Sequence, residues 1–139
     1  MYRDNNLIVT KRANGELVLI IWNLVMEKGN DFSEDFELEL PVNRGIYFMT
    51  EQSISEECAN PWRTWQQMGR PRFPSKSQIE VLNKSAIPFF ESKQLEVKEN
   101  KLTHSVTLTK NEVRIIEVIP VNDESASYPG LDDSSLDSY

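Results

Sequence analysis

The first third of the chain alternates apolar runs with turn residues, a pattern typical of antiparallel β-strands. Asn14-Gly15 separates two of these runs, and both residues tolerate the positive φ angles that a tight hairpin turn requires. The run that follows, LVLIIWNL, is apolar at almost every position, which indicates a central strand buried between layers. A later run alternates apolar and acidic side chains up to Pro41, which indicates a half-exposed strand. The predicted strands are residues 7–12, 17–24, 36–40 and 45–50.

The last third of the chain has the same pattern. The dipeptide Asn100-Lys101 lies between two apolar-rich runs, which predicts a second hairpin, and Pro120 ends the final run. The predicted strands here are residues 94–99, 102–108 and 112–119. About seven short strands separated by turns favour an all-β fold, an antiparallel β-sandwich.

The segment between the two β regions has a different composition, rich in proline, arginine and tryptophan. Asn60-Pro61 is typical of a helix start, with asparagine as the N-cap and proline at the first helical position. Gly69 is typical of a helix end. Ser75 and Gln78 form the S-x-x-Q pattern of a capping box, which predicts a second helix that ends before Pro88. We therefore expect one β-sandwich domain, residues 1–121, with a helical insertion in residues 53–88 and helices at about 60–87.

A basic and aromatic group of residues lies in this insertion. It consists of Trp62, Arg63, Trp65, Arg70 and Arg72. Tryptophans at helical spacing are often core or interface anchors, so packing within the domain is one interpretation. The others are a surface for carbohydrate or for a partner domain, and a stacking platform for single-stranded nucleic acid.

Residues suited to catalysis are few. His104, the single histidine, lies in phase with the apolar positions of its strand, so we interpret it as a hydrogen-bonded residue at the edge of the core. Cys58 lies in no nucleophile motif. The adjacent carboxylate pairs 56–57 and 132–133 have no spacing that directs them to one substrate atom. We expect no catalytic residue, metal site or cofactor in this chain, because it also lacks zinc-ligand spacing and a glycine-rich phosphate loop.

The charge distribution separates a body from a tail. The 139-residue chain has a net charge of −7, and residues 122–139 contain five acidic side chains and no basic one. The remainder has 17 acidic and 15 basic residues, a net charge of −2, which disfavours nucleic-acid binding. We expect the tail to be disordered.

The longest apolar run has six residues, too few to span a membrane. The start of the chain lacks the pattern of a targeting segment, and a single cysteine favours a reducing compartment, so we expect a cytoplasmic protein.

The block NPWRTWQQMGRPRFPSKSQIEVL, residues 60–82, is unusual in composition and resembles the C-terminal region of glycoside hydrolase family 39 β-xylosidases. The stretches 6–12, 17–25 and 108–118 are similar to strands of the same region, so the resemblance covers most of residues 5–120. One departure is at residues 56–59, which read EECA where the family tends to have a His-Gly pair.

The resemblance implies a role for this chain within a larger enzyme. Enzymes of the family release xylose from xylo-oligosaccharides with retention of configuration, through glutamates in a (β/α)₈ barrel of about 250 residues. No position here matches those glutamates, so the resemblance implies a non-catalytic accessory sandwich that packs against the barrel of its parent and stabilises it. It leaves open whether the parent is a homo-oligomer. The alternative is a carbohydrate-binding module that contacts xylan or xylo-oligosaccharides through Trp22, Tyr47, Trp62 and Trp65.

Overall fold

The computed structural model describes residues 1–29 and 31–122, and these residues form two antiparallel sheets and two short helices. The strands are β1 (Tyr2–Asp4), β2 (Leu7–Lys11), β3 (Leu17–Asn23), β4 (Glu34–Pro41), β5 (Gly45–Ile54), β6 (Phe89–Val97), β7 (Lys101–Leu108) and β8 (Glu112–Pro120). The helices are α1 (Pro61–Gln67) and α2 (Lys76–Ser85). The predicted all-β sandwich with a helical insertion is therefore confirmed.

The two sheets differ in size. The larger has six strands in the order β1-β2-β3-β8-β5-β6, and the smaller contains β4 and β7 alone among the described residues. The hairpin at Asn14-Gly15 joins β2 to β3 as predicted, but of these two residues only Gly15 has a positive φ, at 88°. The predicted hairpin between residues 94–99 and 102–108 is wrong, because β6 pairs with β5 whereas β7 pairs with β4. The turn between Val97 and Leu102 therefore carries the chain from the larger sheet to the smaller one.

The core lies between the layers and follows from the period of two along each strand. In β3, Leu17, Leu19 and Ile21 are buried while the side chains between them are half-exposed. The sequence indicated burial on both faces of this strand, but the outer face is only partly covered in the described part of the chain. The fully buried side chains of the core are Leu19, Ile21, Met49, Leu108, Ile116 and Val118.

Three strands, β1, β5 and β6, differ most from the prediction. β1 was not predicted, because all its residues are exposed and it pairs only with β2. β5 extends to Ile54 and β6 begins at Phe89, so both contain polar stretches with no strand pattern of their own. These stretches are strands because the two backbones pair continuously from Gly45 with Val97 to Ser53 with Phe89.

Both helices begin as their sequences predict. The side chain of Asn60 accepts a hydrogen bond from the amide of Arg63 at 3.4 Å, with proline at the start of α1. The capping box of α2 is complete, since Ser75 Oγ accepts from the Gln78 amide at 3.3 Å and Gln78 Oε1 accepts from the Ser75 amide at 2.8 Å. Neither helix has a buried residue, and the apolar side chains of Trp62, Ile79 and Val81 are exposed, so the insertion presents apolar surface to solvent.

Candidate functional site

The two tryptophans of α1 form a stacked pair on the surface of the insertion. Their ring centroids are 4.8 Å apart with an interplanar angle of 29°. Trp65 is held in place because its indole Nε1 donates to the carbonyl oxygen of Pro71 at 3.0 Å. Trp62 lies over it and remains 62% exposed. The pair therefore presents one free aromatic side chain on a fixed support.

The three arginines of the insertion have separate surroundings. Arg63 forms an ion pair with Glu57. Arg70 has a φ of 57° and donates its amide to the carbonyl oxygen of Trp65 at 3.1 Å, which closes the end of α1. The guanidinium of Arg72 lies over the ring of Phe73, itself 85% exposed. The structure thus groups the predicted residues on one module, but their contacts do not direct the arginines to a common point.

A second surface is the outer face of the six-stranded sheet, the side away from β4 and β7. We call it the outer sheet face. Its apolar members are Ile8, Val18, Ile20, Trp22, Ile46, Phe48, Ile54, Phe90, Val113, Ile115 and Ile119. Strand register places Trp22 beside Val113 and Val113 beside Ile54, so one apolar row crosses the three central strands. Because the inner face is also apolar, this sheet has the composition of one that is covered on both sides.

A cluster of charged side chains connects the two layers at one end of the sandwich. His104, on the inward face of β7 as predicted, binds Glu51 Oε1 of β5 through its Nε2. The guanidinium of Arg114 lies 3.4 Å from Glu51 Oε2 and 2.9 Å from Glu112 Oε1. The side chains of His104, Glu51 and Arg114 are 14%, 13% and 19% exposed. Glu112 is buried, and its other oxygen accepts from the Thr109 amide at 2.8 Å.

The electrostatics of this cluster affect Glu51 most. The hydrogen bond from His104 lowers the pKa of Glu51 below its ordinary value, and the positive charges of Arg114 and Lys93 act in the same direction against desolvation. Each carboxylate oxygen of Glu51 thus has a hydrogen-bond partner within the cluster. The sequence analysis did not identify Glu51, Glu112 or Arg114. For the last two a signal existed, since both are in phase with the buried Ile116.

The remaining candidates for chemistry are held apart. Glu56 accepts from Asn111 at 3.0 Å while Glu57 binds Arg63, so the pair at 56–57 does not converge on one point. The thiol of Cys58 donates to the carbonyl oxygen of Ser53 at 3.6 Å. Within residues 1–29 and 31–122 no group of three or more His, Cys, Asp or Glu side chains is arranged to hold a metal ion. The pair at 132–133 and most of the predicted tail lie outside the described residues.

Two further findings concern sugar binding by Tyr47 and membrane-spanning helices. Tyr47 is buried and its hydroxyl donates to the carbonyl oxygen of Asn43 at 2.8 Å, so its ring is not a surface for a sugar. In the described part of the chain, no helix has the length and apolarity needed to cross a membrane.

With this geometry established, comparison with known proteins identifies the class. The profile of "Glycosyl hydrolases family 39" matches residues 1–100, so the chain belongs to that family. A "Beta-xylosidase" of Geobacillus stearothermophilus is 42% identical over 139 residues, which are the whole of this chain and 27% of that protein. The chain therefore spans about a quarter of the length of this relative.

Solved structures show the same fold. A GH39 enzyme from Xanthomonas axonopodis pv. citri matches with a TM-score of 0.73 and 14% identity, over 85% of this chain and 26% of that chain. A monomeric beta-xylosidase from Caulobacter crescentus CB15 matches with a TM-score of 0.69 and 15% identity, over 86% of this chain and 27% of that chain. At these identities the likeness is one of fold. In each case the matched region is about a quarter of the enzyme.

Proposed function

We propose that this chain is the C-terminal, non-catalytic accessory domain of a family 39 β-xylosidase-like enzyme. It packs through the outer sheet face against the (β/α)₈ catalytic barrel of its parent and stabilises that barrel. The observation that carries the proposal is a sheet with two apolar faces, only one of which is covered by β4 and β7.

The exposure of the outer sheet face supports this role. Ile46, Phe48, Ile54 and Val113 are exposed and lie on neighbouring strands of one surface. Contiguous apolar surface of this kind marks an interaction site, because leaving it in water is unfavourable. The parent's barrel is the natural cover, since about three quarters of the length of the Geobacillus relative lies outside the matched region.

The site chemistry supports a non-catalytic role. Glu51, Glu112 and the carboxylates at 56–57 are each engaged by a neighbouring cation or polar group. A retaining glycosidase needs two carboxyl groups about 5 Å apart across an open cleft. These engaged carboxylates belong to the support of the sandwich rather than to such a cleft.

Two measurements test the proposal. Hydrolysis of p-nitrophenyl-β-xyloside is expected from the full-length parent and not from this chain, so activity of the chain alone would contradict the non-catalytic role. The isolated chain is also expected to bind 1-anilinonaphthalene-8-sulfonate, and the variant Ile46→Asp/Phe48→Asp is expected to lose most of that fluorescence with an unchanged circular-dichroism spectrum. Lys98→Asp, in the exposed turn after β6, is the control and should bind dye like wild type.

The carbohydrate-binding alternative is tested by titrating xylohexaose while following tryptophan fluorescence. The accessory role predicts no change at millimolar sugar. A saturable change that Trp62→Ala abolishes would instead favour a binding module.

A further inference from the structure

The helical insertion presents a basic surface in an otherwise acidic chain. Residues 60–79 contain four basic side chains and no acidic one, whereas the whole chain has a net charge of −7. The first of the four, Arg63, is paired with Glu57. The other three, Arg70, Arg72 and Lys76, are exposed, and in the described part of the chain no carboxylate lies within ion-pair distance of them.

Exposed aromatic side chains belong to the same surface. Trp62 is 62% exposed and Phe73 is 85% exposed. The guanidinium of Arg72 lies 5.6 Å from the centroid of the Phe73 ring, so a cation and an apolar group are presented together. We call these two aromatic side chains, together with Arg70, Arg72 and Lys76, the insertion surface. A segment that complements it needs carboxylates next to apolar side chains.

The sequence that follows the last strand has this composition. Residues 123–139 contain five acidic side chains and no basic one. Within them Leu131 precedes Asp132-Asp133, and Leu136 precedes Asp137, so each group of carboxylates has an apolar neighbour. A segment of this kind cannot form a core by itself, but it can bind a surface of opposite charge.

Chain length determines which of these carboxylates can reach the insertion. β8 ends at Pro120 beside Tyr47, whereas the insertion follows Ile54 at the other end of β5. These ends are about 23 Å apart, because a strand rises about 3.3 Å per residue. The chain from residue 122 to Asp132 spans up to about 33 Å when extended. Residues from Asp132 onward therefore reach the insertion, whereas residues 123 and 124 do not.

The covalent connection favours the chain's own segment over a separate ligand. Exposed ion pairs are individually weak, so a free acidic peptide would bind poorly. A tethered segment has an effective concentration in about the millimolar range, at which weak contacts are sufficient. An extended segment can also contact cations that do not converge on one point. Nucleic acid is disfavoured at the same cations, because the net charge of −7 repels its phosphates.

We propose that residues 131–137 of this chain bind the insertion surface of the same molecule. The three aspartates of the segment form ion pairs with the three cations of the surface. The two leucines of the segment cover its aromatic side chains. This contact is independent of the proposed function, since it does not use the outer sheet face, so the two proposals can fail separately.

Paramagnetic relaxation in nuclear magnetic resonance measures this contact in the 139-residue chain. A nitroxide is attached at Ser135→Cys in a Cys58→Ser background, so that the chain has a single thiol. The amide signals of residues 70–79 are expected to broaden at about 0.05 M salt. Their paramagnetic relaxation rates should fall about threefold or more at about 1 M salt, where ion pairs on the surface are screened. No broadening at low salt, or broadening that salt does not change, would overturn the proposal.

A charge exchange separates specific binding from nonspecific attraction. The variant Arg70→Glu/Arg72→Glu/Lys76→Glu alters exposed side chains only and should lose the broadening. Adding Asp132→Lys/Asp133→Lys/Asp137→Lys to this variant should restore it. The control Arg3→Glu/Lys28→Glu/Lys98→Glu makes the same change in net charge at exposed positions outside the insertion, and it should broaden like the parent chain. Equal losses in the control and the insertion variant would contradict the proposed site.

Mixed samples distinguish a contact within one molecule from a contact between copies. A chain enriched in ¹⁵N and without the nitroxide is mixed with an unenriched chain that carries it. No broadening is expected at residues 70–79 of the enriched chain, and broadening there would contradict binding within the same molecule. Ile46→Asp/Phe48→Asp should leave the contact unchanged, even if the accessory role is wrong.

Discussion

Replacing Glu51 with glutamine tests whether the charged cluster holds the two layers together. Glu51 is the common member of this cluster, because it binds His104 on the smaller sheet and Arg114 on the larger one. The substitution Glu51→Gln preserves the shape of the side chain and removes its charge. It leaves Arg114 with Glu112 as its remaining carboxylate partner.

The expected loss is about 2 kcal/mol of unfolding free energy at pH 7. Removing one partner of a fully buried pair costs about 3–5 kcal/mol, whereas a hydrogen bond to a charged group contributes about 1.5–3 kcal/mol. The lower range applies here because the three side chains are 13–19% exposed and border a cavity of about 490 Å³. Urea denaturation followed by circular dichroism measures this difference.

The same difference should depend on pH in one direction. The folded protein lowers the pKa of Glu51, chiefly through the hydrogen bond from His104. The carboxylate therefore stabilises the fold at pH values above its unfolded pKa of about 4.3, and this stabilisation is lost as pH falls through the lower folded-state pKa. Wild type and Glu51→Gln should thus approach one another in stability towards pH 3.

Glu91→Gln is the matched control. Glu91 lies opposite Glu51 on the neighbouring strand and borders the same cavity, but it is exposed. Its substitution should change stability by less than about 0.5 kcal/mol. The argument is refuted if the two variants lose equal stability, or if the deficit of Glu51→Gln is the same at pH 7 and pH 3.

Two further pairs of substitutions test local backbone features. Ala59 has a φ of 57°, which an L-residue adopts at a cost of about 1–2 kcal/mol, so Ala59→Gly should raise unfolding free energy by about 0.5–1 kcal/mol in urea titrations. Ala86→Gly, at a residue with a φ of −87°, should lower it, and a gain at both positions would contradict the reasoning. Ser75→Ala removes the capping box of α2 and should speed amide exchange in that helix by about fivefold, equivalent to about 1 kcal/mol, while Ser75→Asp restores protection. Equal exchange in all three proteins would show that the cap is not limiting.

Features set by short-range geometry could be predicted from the sequence. Asn14-Gly15 and the Ser75–Gln78 capping box act within four residues, so their patterns determine the local structure directly. The inward position of His104 likewise follows from the period of two along β7. Its acidic partner could not be predicted, because Glu51 lies in a polar stretch that is a strand only through pairing with β6 and β8.

The sheet to which each strand belongs could not be predicted, because it depends on pairing between strands that are distant in the sequence. Residues 94–108 have the turn pattern of a hairpin, yet β6 and β7 belong to different sheets. Val97 and Leu102 are both buried, as they also could be on one face of a hairpin, so neither the turn pattern nor the burial pattern distinguishes the two arrangements. The partners do, since β6 pairs with β5 and β7 pairs with β4.

The apolar pattern of β3 and β8 predicts more burial than the described residues provide. Their outward residues Val18, Ile20, Val113 and Ile115 predict a sheet covered on both sides, and the described residues cover only one. This imbalance is explained if the folding unit in the parent enzyme is larger than these 139 residues, with the barrel on the outer sheet face. The dye experiment tests this explanation, because Ile46→Asp/Phe48→Asp alters that surface and leaves the inward-facing residues of β5 unchanged.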